Sequence, residues 1–145
     1  MMLHFESYQV IAAETAGPAN TSVEDLVPSL EDMGVEIPDE SQKQKIEQTL
    51  KICRSLLRLS YGVMGLGNEG GECLGKMKKL IRDHGGIMSD EFRNQMIHEI
   101  GDTLWYVADV CTCLGVSMGE VAQANLDKLR DRKERGVLQG DGDQR

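Results

Sequence analysis

The sequence predicts an all-α fold, a bundle of four or five helices. Apolar residues recur three and four positions apart over long segments, as they do on one face of a helix. No alternation of apolar and polar residues, the pattern of a half-buried strand, continues beyond a few positions. All three prolines fall within residues 17–40, which marks that stretch as a loop or an insertion between helical segments.

The chain has 145 residues, of which 40% are hydrophobic and 28% charged. A chain of this length buries roughly two-thirds of its unfolded surface, so disorder throughout is excluded. We expect one domain over residues 1–145, with the proline-containing loop at 17–40 and a glycine-rich, charged tail at 136–145.

The first half of the chain predicts a short amphipathic helix over residues 4–15, and a turn of helix near residues 21–26. A second helix begins near Ser41. Five glycines within residues 62–71 are expected to interrupt it, because each interior glycine costs about 1 kcal/mol relative to alanine. The helix resumes through residues 73–81 and ends at the glycine pair 85–86. The apolar stripe of this second helix comprises Ile46, Leu50, Cys53, Leu57 and Tyr61.

Two serines mark the later helix starts. Ser89 is the predicted N-cap, with acidic residues in the first turn after it, of a helix that runs to about Leu114. Ser117 similarly caps a last helix that continues into a strongly charged segment near residue 135. These elements complete the predicted bundle.

Charge and hydropathy restrict the partners. Sixteen Lys and Arg against 24 Asp and Glu leave a net charge of −8, which repels a phosphate backbone, so general nucleic-acid binding is not expected. No apolar run approaches the roughly 20 residues that span a bilayer, and the N-terminus does not resemble a secretion signal. The four cysteines form no C-x-x-C pair and are expected to be core thiols. We therefore expect a cytoplasmic protein.

Two acidic pairs are the strongest chemical signal: Glu69-x-x-Glu72 and Glu99-x-x-Asp102. Residues three apart share one face of a helix, so each pair presents two carboxylates together. Either pair alone is weak evidence, since a solvated acidic face has the same spacing. Both pairs, however, lie beside apolar or glycine-rich sequence, where clustered carboxylates without a cation would cost several kcal/mol.

We therefore expect the two pairs to face each other around a divalent cation. An all-oxygen ligand set suits Mg²⁺ or Mn²⁺, which commonly bridge carboxylates and substrate phosphates. A zinc protease is a poor fit, because His98-Glu99-x-x-Asp102 lacks the second histidine of H-E-x-x-H. A ferritin-like di-iron site is also a poor fit, because Glu-x-x-His does not occur.

Cationic side chains near these acids are candidates for phosphate contacts. Lys76 and Lys79 follow the first pair on nearly the same helix face as Glu72. A second set, spaced three and four apart on the last helix, is Asn125, Lys128 and Arg132. The amide suits a sugar or base edge and the two cations suit phosphate, although ordinary surface salt bridges would have the same spacing. Trp105 is expected in the core, and Tyr106 is expected to border a pocket.

Together these segments resemble the MazG-type nucleoside triphosphate pyrophosphohydrolases, an all-α family marked by E-x-x-E followed by E-x-x-D. The runs that carry the resemblance are SYQVIAAETAG (7–17), YGVMGLGNEGGECLGKMKK (61–79), HEIGDTLWYVADV (98–110) and NLDKLRDRKERGVLQGDGDQR (125–145). They cover most of the chain outside the 17–40 loop, which is longer than expected for a compact member. The glycine-rich tail is similar to that of small, phage-like members.

The resemblance implies Mg²⁺- or Mn²⁺-dependent hydrolysis of a nucleoside or deoxynucleoside triphosphate between the α and β phosphates. The products would be the nucleoside monophosphate and pyrophosphate. All four acids would bind metal, one of them also activating water, and a purine deoxynucleotide is the favoured substrate. The five substrate contacts that it implies are Lys76, Lys79, Asn125, Lys128 and Arg132.

The resemblance also implies assembly into a homodimer or homotetramer, with sites near the subunit contacts. Two alternatives to an enzyme stay open. The same helices would suit a non-catalytic interaction module that docks a basic partner through its acidic face. They would also suit a regulatory sensor that binds a nucleotide without hydrolysing it.

Overall fold

A computed structural model describes residues 4–15, 32 and 39–137. Four helices account for most of them, in chain order α1 (Phe5–Thr15), α2 (Glu40–His84), α3 (Asp90–Leu114) and α4 (Met118–Glu134). No strand occurs within these ranges, and the predicted all-α class is confirmed. The predicted turn at residues 21–26 lies outside the described residues, as do most of the proline-containing loop and most of the tail.

The helix ends follow local side-chain chemistry. The hydroxyls of Ser89 and Ser117 accept hydrogen bonds from backbone N–H groups in the first turns of α3 and α4, which confirms both predicted N-caps. Asp39 begins α2 through a reciprocal pair of hydrogen bonds with Gln42. Gly85 ends α2 in the left-handed conformation (φ 58°), as the glycine pair predicted.

The predicted interruption of the second helix is wrong, because α2 is continuous over 45 residues. The glycines within residues 62–71 all keep helical backbone angles. Two of them lie where α3 packs closely on α2. A Cβ atom on Gly62 would lie 3.0 Å from Val110 Cγ2, and one on Gly65 would overlap the ring of Tyr106. Packing of the two helices therefore offsets the low helix propensity of glycine.

Alanine at Gly65 is expected to destabilise the fold by about 1–3 kcal/mol, because the new methyl group displaces the Tyr106 ring. Gly67 is the matched control. Nothing lies within 4 Å of its Cβ position, so Gly67→Ala should raise the stability by up to about 1 kcal/mol through helix propensity alone. Urea unfolding of both variants checks this. The changes expected for the two variants have opposite signs, so a stabilised Gly65→Ala would contradict the close packing.

The core lies where α1 crosses α3 and the start of α4. Ala12, Ala108, Cys111 and Met118 form its buried centre. Gln9 connects the three helices, since its amide group donates to the Val116 carbonyl (2.9 Å) and accepts from the Met118 N–H (2.9 Å). α1 is thereby held across the junction of α3 and α4.

An ion pair with a buried carboxylate joins α2 to α3. Arg58 Nη2 lies 2.9 Å from Asp109 Oδ1, and the Asp109 side chain is only 2% exposed. The hydrogen bond to Asp109 holds the pKa of Arg58 above its ordinary value. Because the pair lies beside the close contact at Gly62, it sets the register of the two antiparallel helices. That register decides which side chains of α2 and α3 meet at the site.

Much of α2 has no partner in the described residues. α3 has 25 residues against 45 in α2, and α2 packs on no other helix. The apolar stripe of α2 is therefore largely exposed, with Leu57 at 70% and Tyr61 at 59%. The prediction of core thiols is wrong for Cys53, which is exposed, whereas Cys111 is buried and Cys73 and Cys113 are half-buried; all four cysteines are free thiols.

α4 turns away from α3 by 99° after Gly115, which adopts a left-handed φ of 69°. It packs on α1 and α3 and makes no contact with α2. Within the described ranges, no single helix combines the length and apolar character needed to cross a membrane, and α3 with α4 does so only as a bent pair.

Candidate active site

The structure brings three of the four predicted acids together between α2 and α3. Glu69, Glu99 and Asp102 each offer a carboxylate oxygen, and these oxygens lie within 4.8 Å of one another. We call this group the acidic triad. It forms because the two antiparallel helices meet in the register set by Arg58 and Asp109. A cluster of this size, with oxygen donors only, suits a hard divalent cation.

Glu72 lies one helical turn from Glu69 and is not a member of the acidic triad. Its side chain is exposed, and Oε1 accepts a hydrogen bond from Asn68 Nδ2 at 3.2 Å. The same amide nitrogen lies 3.5 Å from Glu69 Oε1. Asn68 therefore holds the two glutamates of the first motif side by side, and the role of Glu72 as a metal ligand stays a prediction.

Lys76 contacts the acidic triad directly. Its Nζ lies 2.9 Å from Glu99 Oε1, and the Glu99 side chain is only 12% exposed. The ammonium group partly neutralises the three clustered carboxylates, which would otherwise repel one another. Lys79, one turn further along α2, makes no ion pair within the described part of the chain and lines a neighbouring cavity.

The carboxylates influence the tyrosines around them. A hydrogen bond with Tyr61 raises the pKa of Tyr106, and burial and the charges of Glu69 and Asp102 raise it further. Burial raises the pKa of Tyr8, and the charge of Asp102 adds to that increase. Both phenols therefore stay neutral beside the carboxylates of the acidic triad.

An aromatic cavity of about 360 Å³ adjoins the acidic triad. Trp105 and Tyr106 line it with Glu69, Asp102 and Thr15, so the end of α1 contributes to the site. Trp105 Nε1 donates to Thr15 Oγ1 at 2.8 Å, and the Trp105 and Tyr106 rings meet edge to face with centroids 4.9 Å apart. Tyr106 borders a pocket as predicted, whereas Trp105 contacts both the core and this cavity.

The predicted substrate-binding residues on α4 do not lie at the acidic triad of the same chain, because α4 makes no contact with α2. Asn125 and Lys128 are exposed and make no hydrogen bond or ion pair with other described residues. Arg132 is buried, at 5% exposure, instead of facing solvent. The physical reason is the 99° turn after α3, which directs α4 away from α2. Their substrate role stays a prediction.

Several residues that lie at the site were not identified from the sequence. Asn68 was identifiable from its spacing, since an amide four positions before Glu72 shares its helix face. Thr15 and His84 had no such signal, because each joins a cavity only through the tertiary fold. The ion pair between Lys76 and Glu99 also depends on the register between α2 and α3.

The fold and the site together define an all-α protein with a carboxylate cluster of the divalent-cation type between two antiparallel helices. Residues 63–137 match the family model of the MazG nucleotide pyrophosphohydrolase domain. The Gene 37 protein of Mycobacterium phage L5 is 47% identical over 93 residues, which cover 64% of this chain and 82% of that protein. No solved structure gives a significant match. The chain belongs to the MazG nucleotide pyrophosphohydrolase family.

Proposed function

We propose that this protein hydrolyses a nucleoside or deoxynucleoside triphosphate between the α and β phosphates, with Mg²⁺ or Mn²⁺ as cofactor. The observation that carries the proposal is the acidic triad, in which oxygens from two helices lie within 4.8 Å of one another. Membership of the nucleotide pyrophosphohydrolase family supports the same class of reaction. The products are a nucleoside monophosphate and pyrophosphate.

The residues present fit a divalent cation. Glu69, Glu99 and Asp102 would hold it, with only oxygen donors and with Lys76 fixing the orientation of Glu99. A bound Mg²⁺ or Mn²⁺ supplies positive charge to the phosphate oxygens during attack on the α phosphorus. Glu72 is exposed beside the triad, where water has access, and we assign it the orientation of the attacking water.

The aromatic cavity suits the nucleoside. Its volume of about 360 Å³ lies within the roughly 300–1,000 Å³ of small-molecule sites. Trp105 and Tyr106 offer ring surfaces for a base, and base–aromatic stacking contributes about 1–3 kcal/mol. Because Glu69 and Asp102 also line this cavity, a base held there places its phosphates at the triad. Purine deoxynucleotides are the first substrates to test.

The test is a panel of nucleoside and deoxynucleoside triphosphates, each incubated with Mg²⁺ or Mn²⁺ and assayed for pyrophosphate and monophosphate. We expect turnover of at least one of them. Thermal melting in the same mixtures separates the alternatives, because a bound ligand raises the melting temperature. Stabilisation without turnover would identify a nucleotide sensor. Neither turnover nor stabilisation would favour a non-catalytic interaction module.

We also propose that the protein assembles as a homodimer or homotetramer. The apolar stripe of α2 supports this, because Ile46, Leu57 and Tyr61 are 36–70% exposed on a helix that, among the described residues, packs on α3 alone. A second copy would bury the stripe. An assembly in which α4 of one copy approaches the triad of another would also bring Lys128 to bound phosphate.

Leu57→Glu is expected to shift the assembly towards monomer, since it introduces a charge at the middle of the stripe. Gln48→Glu adds the same charge on the opposite side of α2, and it should leave the assembly unchanged. Sedimentation velocity at several protein concentrations measures both. A wild-type protein that is monomeric at micromolar concentration would contradict the proposal.

A further inference from the structure

A second cavity lies beside the acidic triad, on the side away from the aromatic cavity. It occupies about 160 Å³ between the last turns of α2 and the start of α3. Three nitrogen-bearing side chains of α2 line it, those of Lys76, Lys79 and His84. We call it the cationic cavity. Its lining also includes Glu91 and Gln95 of α3.

Lys76 connects this cavity to the acidic triad, since it lines the cavity while its Nζ lies 2.9 Å from Glu99. Glu69 and Asp102 in turn line the aromatic cavity. Along the two antiparallel helices the order is therefore aromatic cavity, acidic triad, cationic cavity. That order matches a nucleoside triphosphate laid along the groove, with the nucleoside at one end and the terminal phosphates at the other.

The aromatic cavity is larger than the cationic cavity, as expected if the first holds the nucleoside and the second holds phosphates. The aromatic cavity, about 360 Å³, has room for a nucleoside. The cationic cavity, about 160 Å³, is close to the roughly 150 Å³ that accepts a benzene-sized ligand. It therefore has room for a small anion but not for a nucleoside.

The charges also favour an anion. Lys79 makes no ion pair within the described ranges, and the nearby carboxylate of Asp83, whose charge acts on Lys79, is already held by Arg82 through two hydrogen bonds, so the Lys79 ammonium group is available to a ligand. Glu91 is the one carboxylate of the cavity lining, and its Oε1 already accepts a hydrogen bond from Gln95 at 3.3 Å. Lys79 thus offers an ammonium group that no carboxylate of the lining pairs, and His84 adds a ring nitrogen that can donate a hydrogen bond.

We propose that the cationic cavity binds the β and γ phosphates of the substrate and then the pyrophosphate product, with Lys79 and His84 as its contacts. This inference rests on the proposed function. Water forms the new bond to the α phosphorus, and the bond from that phosphorus to the bridging oxygen breaks. Pyrophosphate leaves with the electron pair of that bond, and the proton from water passes through a carboxylate to solvent.

The test measures product inhibition in Lys79→Ala and His84→Ala, with Lys78→Ala as the control. Lys78 is exposed on the same helix and does not line the cavity. We expect inhibition by inorganic pyrophosphate to weaken about tenfold in the first two variants, the effect of losing one charge-assisted hydrogen bond. Inhibition by the nucleoside monophosphate should change less than about twofold. Equal weakening in Lys78→Ala, or none in Lys79→Ala, would overturn the inference.

A binding measurement separates failure of this inference from failure of the proposed function. Titration calorimetry of inorganic pyrophosphate into wild type and Lys79→Ala, with Mn²⁺ present, needs no turnover. Binding that Lys79→Ala weakens supports the cavity even if no triphosphate is hydrolysed. Turnover by the wild type with pyrophosphate binding unaffected in both cavity variants rejects the cavity and leaves the proposed function standing. Melting curves verify that each variant is folded.

Discussion

Asp102→Asn is expected to lower kcat/KM for triphosphate hydrolysis by about 10²–10³-fold, the usual cost of removing one preorganised electrostatic contact. Asp102 is the exposed member of the acidic triad and makes no hydrogen bond within the described residues, so asparagine fits its place. The loss therefore reports on the missing charge and not on unfolding. Asp90→Asn, on the same helix but outside the site, is the control and should retain full activity.

The melting temperature of Asp102→Asn, measured with and without Mn²⁺, gives a second test of the site. Without metal, Asp102→Asn should melt at or slightly above the wild-type temperature, because it relieves repulsion among the three carboxylates. Addition of Mn²⁺ should stabilise the wild type and Asp90→Asn, and stabilise Asp102→Asn much less. Glu72→Gln should lose turnover, and it should weaken the Mn²⁺ response less than Asp102→Asn does, because Glu72 lies outside the acidic triad. An active Asp102→Asn would contradict the assignment of the site.

Arg58→Met is expected to destabilise the protein by about 3 kcal/mol, because it leaves the carboxylate of Asp109 buried without its cation. This is the lower end of the range for a broken buried pair, since the Arg58 side chain is 31% exposed. Urea unfolding measures the change. Arg54→Met, one turn earlier on α2 and without an ion pair among the described residues, should change stability by less than about 0.5 kcal/mol.

The double variant Arg58→Met/Asp109→Asn tests the cause. Removing both charges should recover much of the lost stability, because the penalty comes from the uncompensated carboxylate. The pair also sets the register of α2 and α3, so Arg58→Met should weaken Mn²⁺ binding at the acidic triad although Arg58 is remote from it. If the double variant is as unstable as Arg58→Met alone, the loss of stability comes from lost packing of the Arg58 side chain and not from the buried carboxylate of Asp109.

The helix ends could be predicted from the sequence. The caps at Ser89 and Ser117 and the stop at Gly85 depend on side chains within one turn, so the ends of α2, α3 and α4 follow from them. The spacing of the acids also predicted that carboxylates of two remote segments would meet. Three of them do.

Three features could not be predicted from the sequence: the continuity of α2, the exposure of its apolar stripe and the direction of α4. They depend on how the helices pack, and the spacing of residues along the chain does not determine that. Helix propensity argued for a break near Gly65, but contact with Tyr106 favours a continuous helix there. Periodicity identified the apolar stripe of α2 without indicating that α3 is too short to cover it. The 99° turn after Gly115 is likewise a tertiary property, and it separates α4 from the acidic triad.

The most direct test of the metal site is a crystal of the protein soaked in Mn²⁺ and measured for anomalous scattering. We expect a strong anomalous peak between α2 and α3, within coordination distance of Glu69, Glu99 and Asp102. The peak should be absent from Asp102→Asn crystals treated in the same way. Wild-type crystals without a peak at the acidic triad, or with the three carboxylates turned apart, would contradict the proposed metal site.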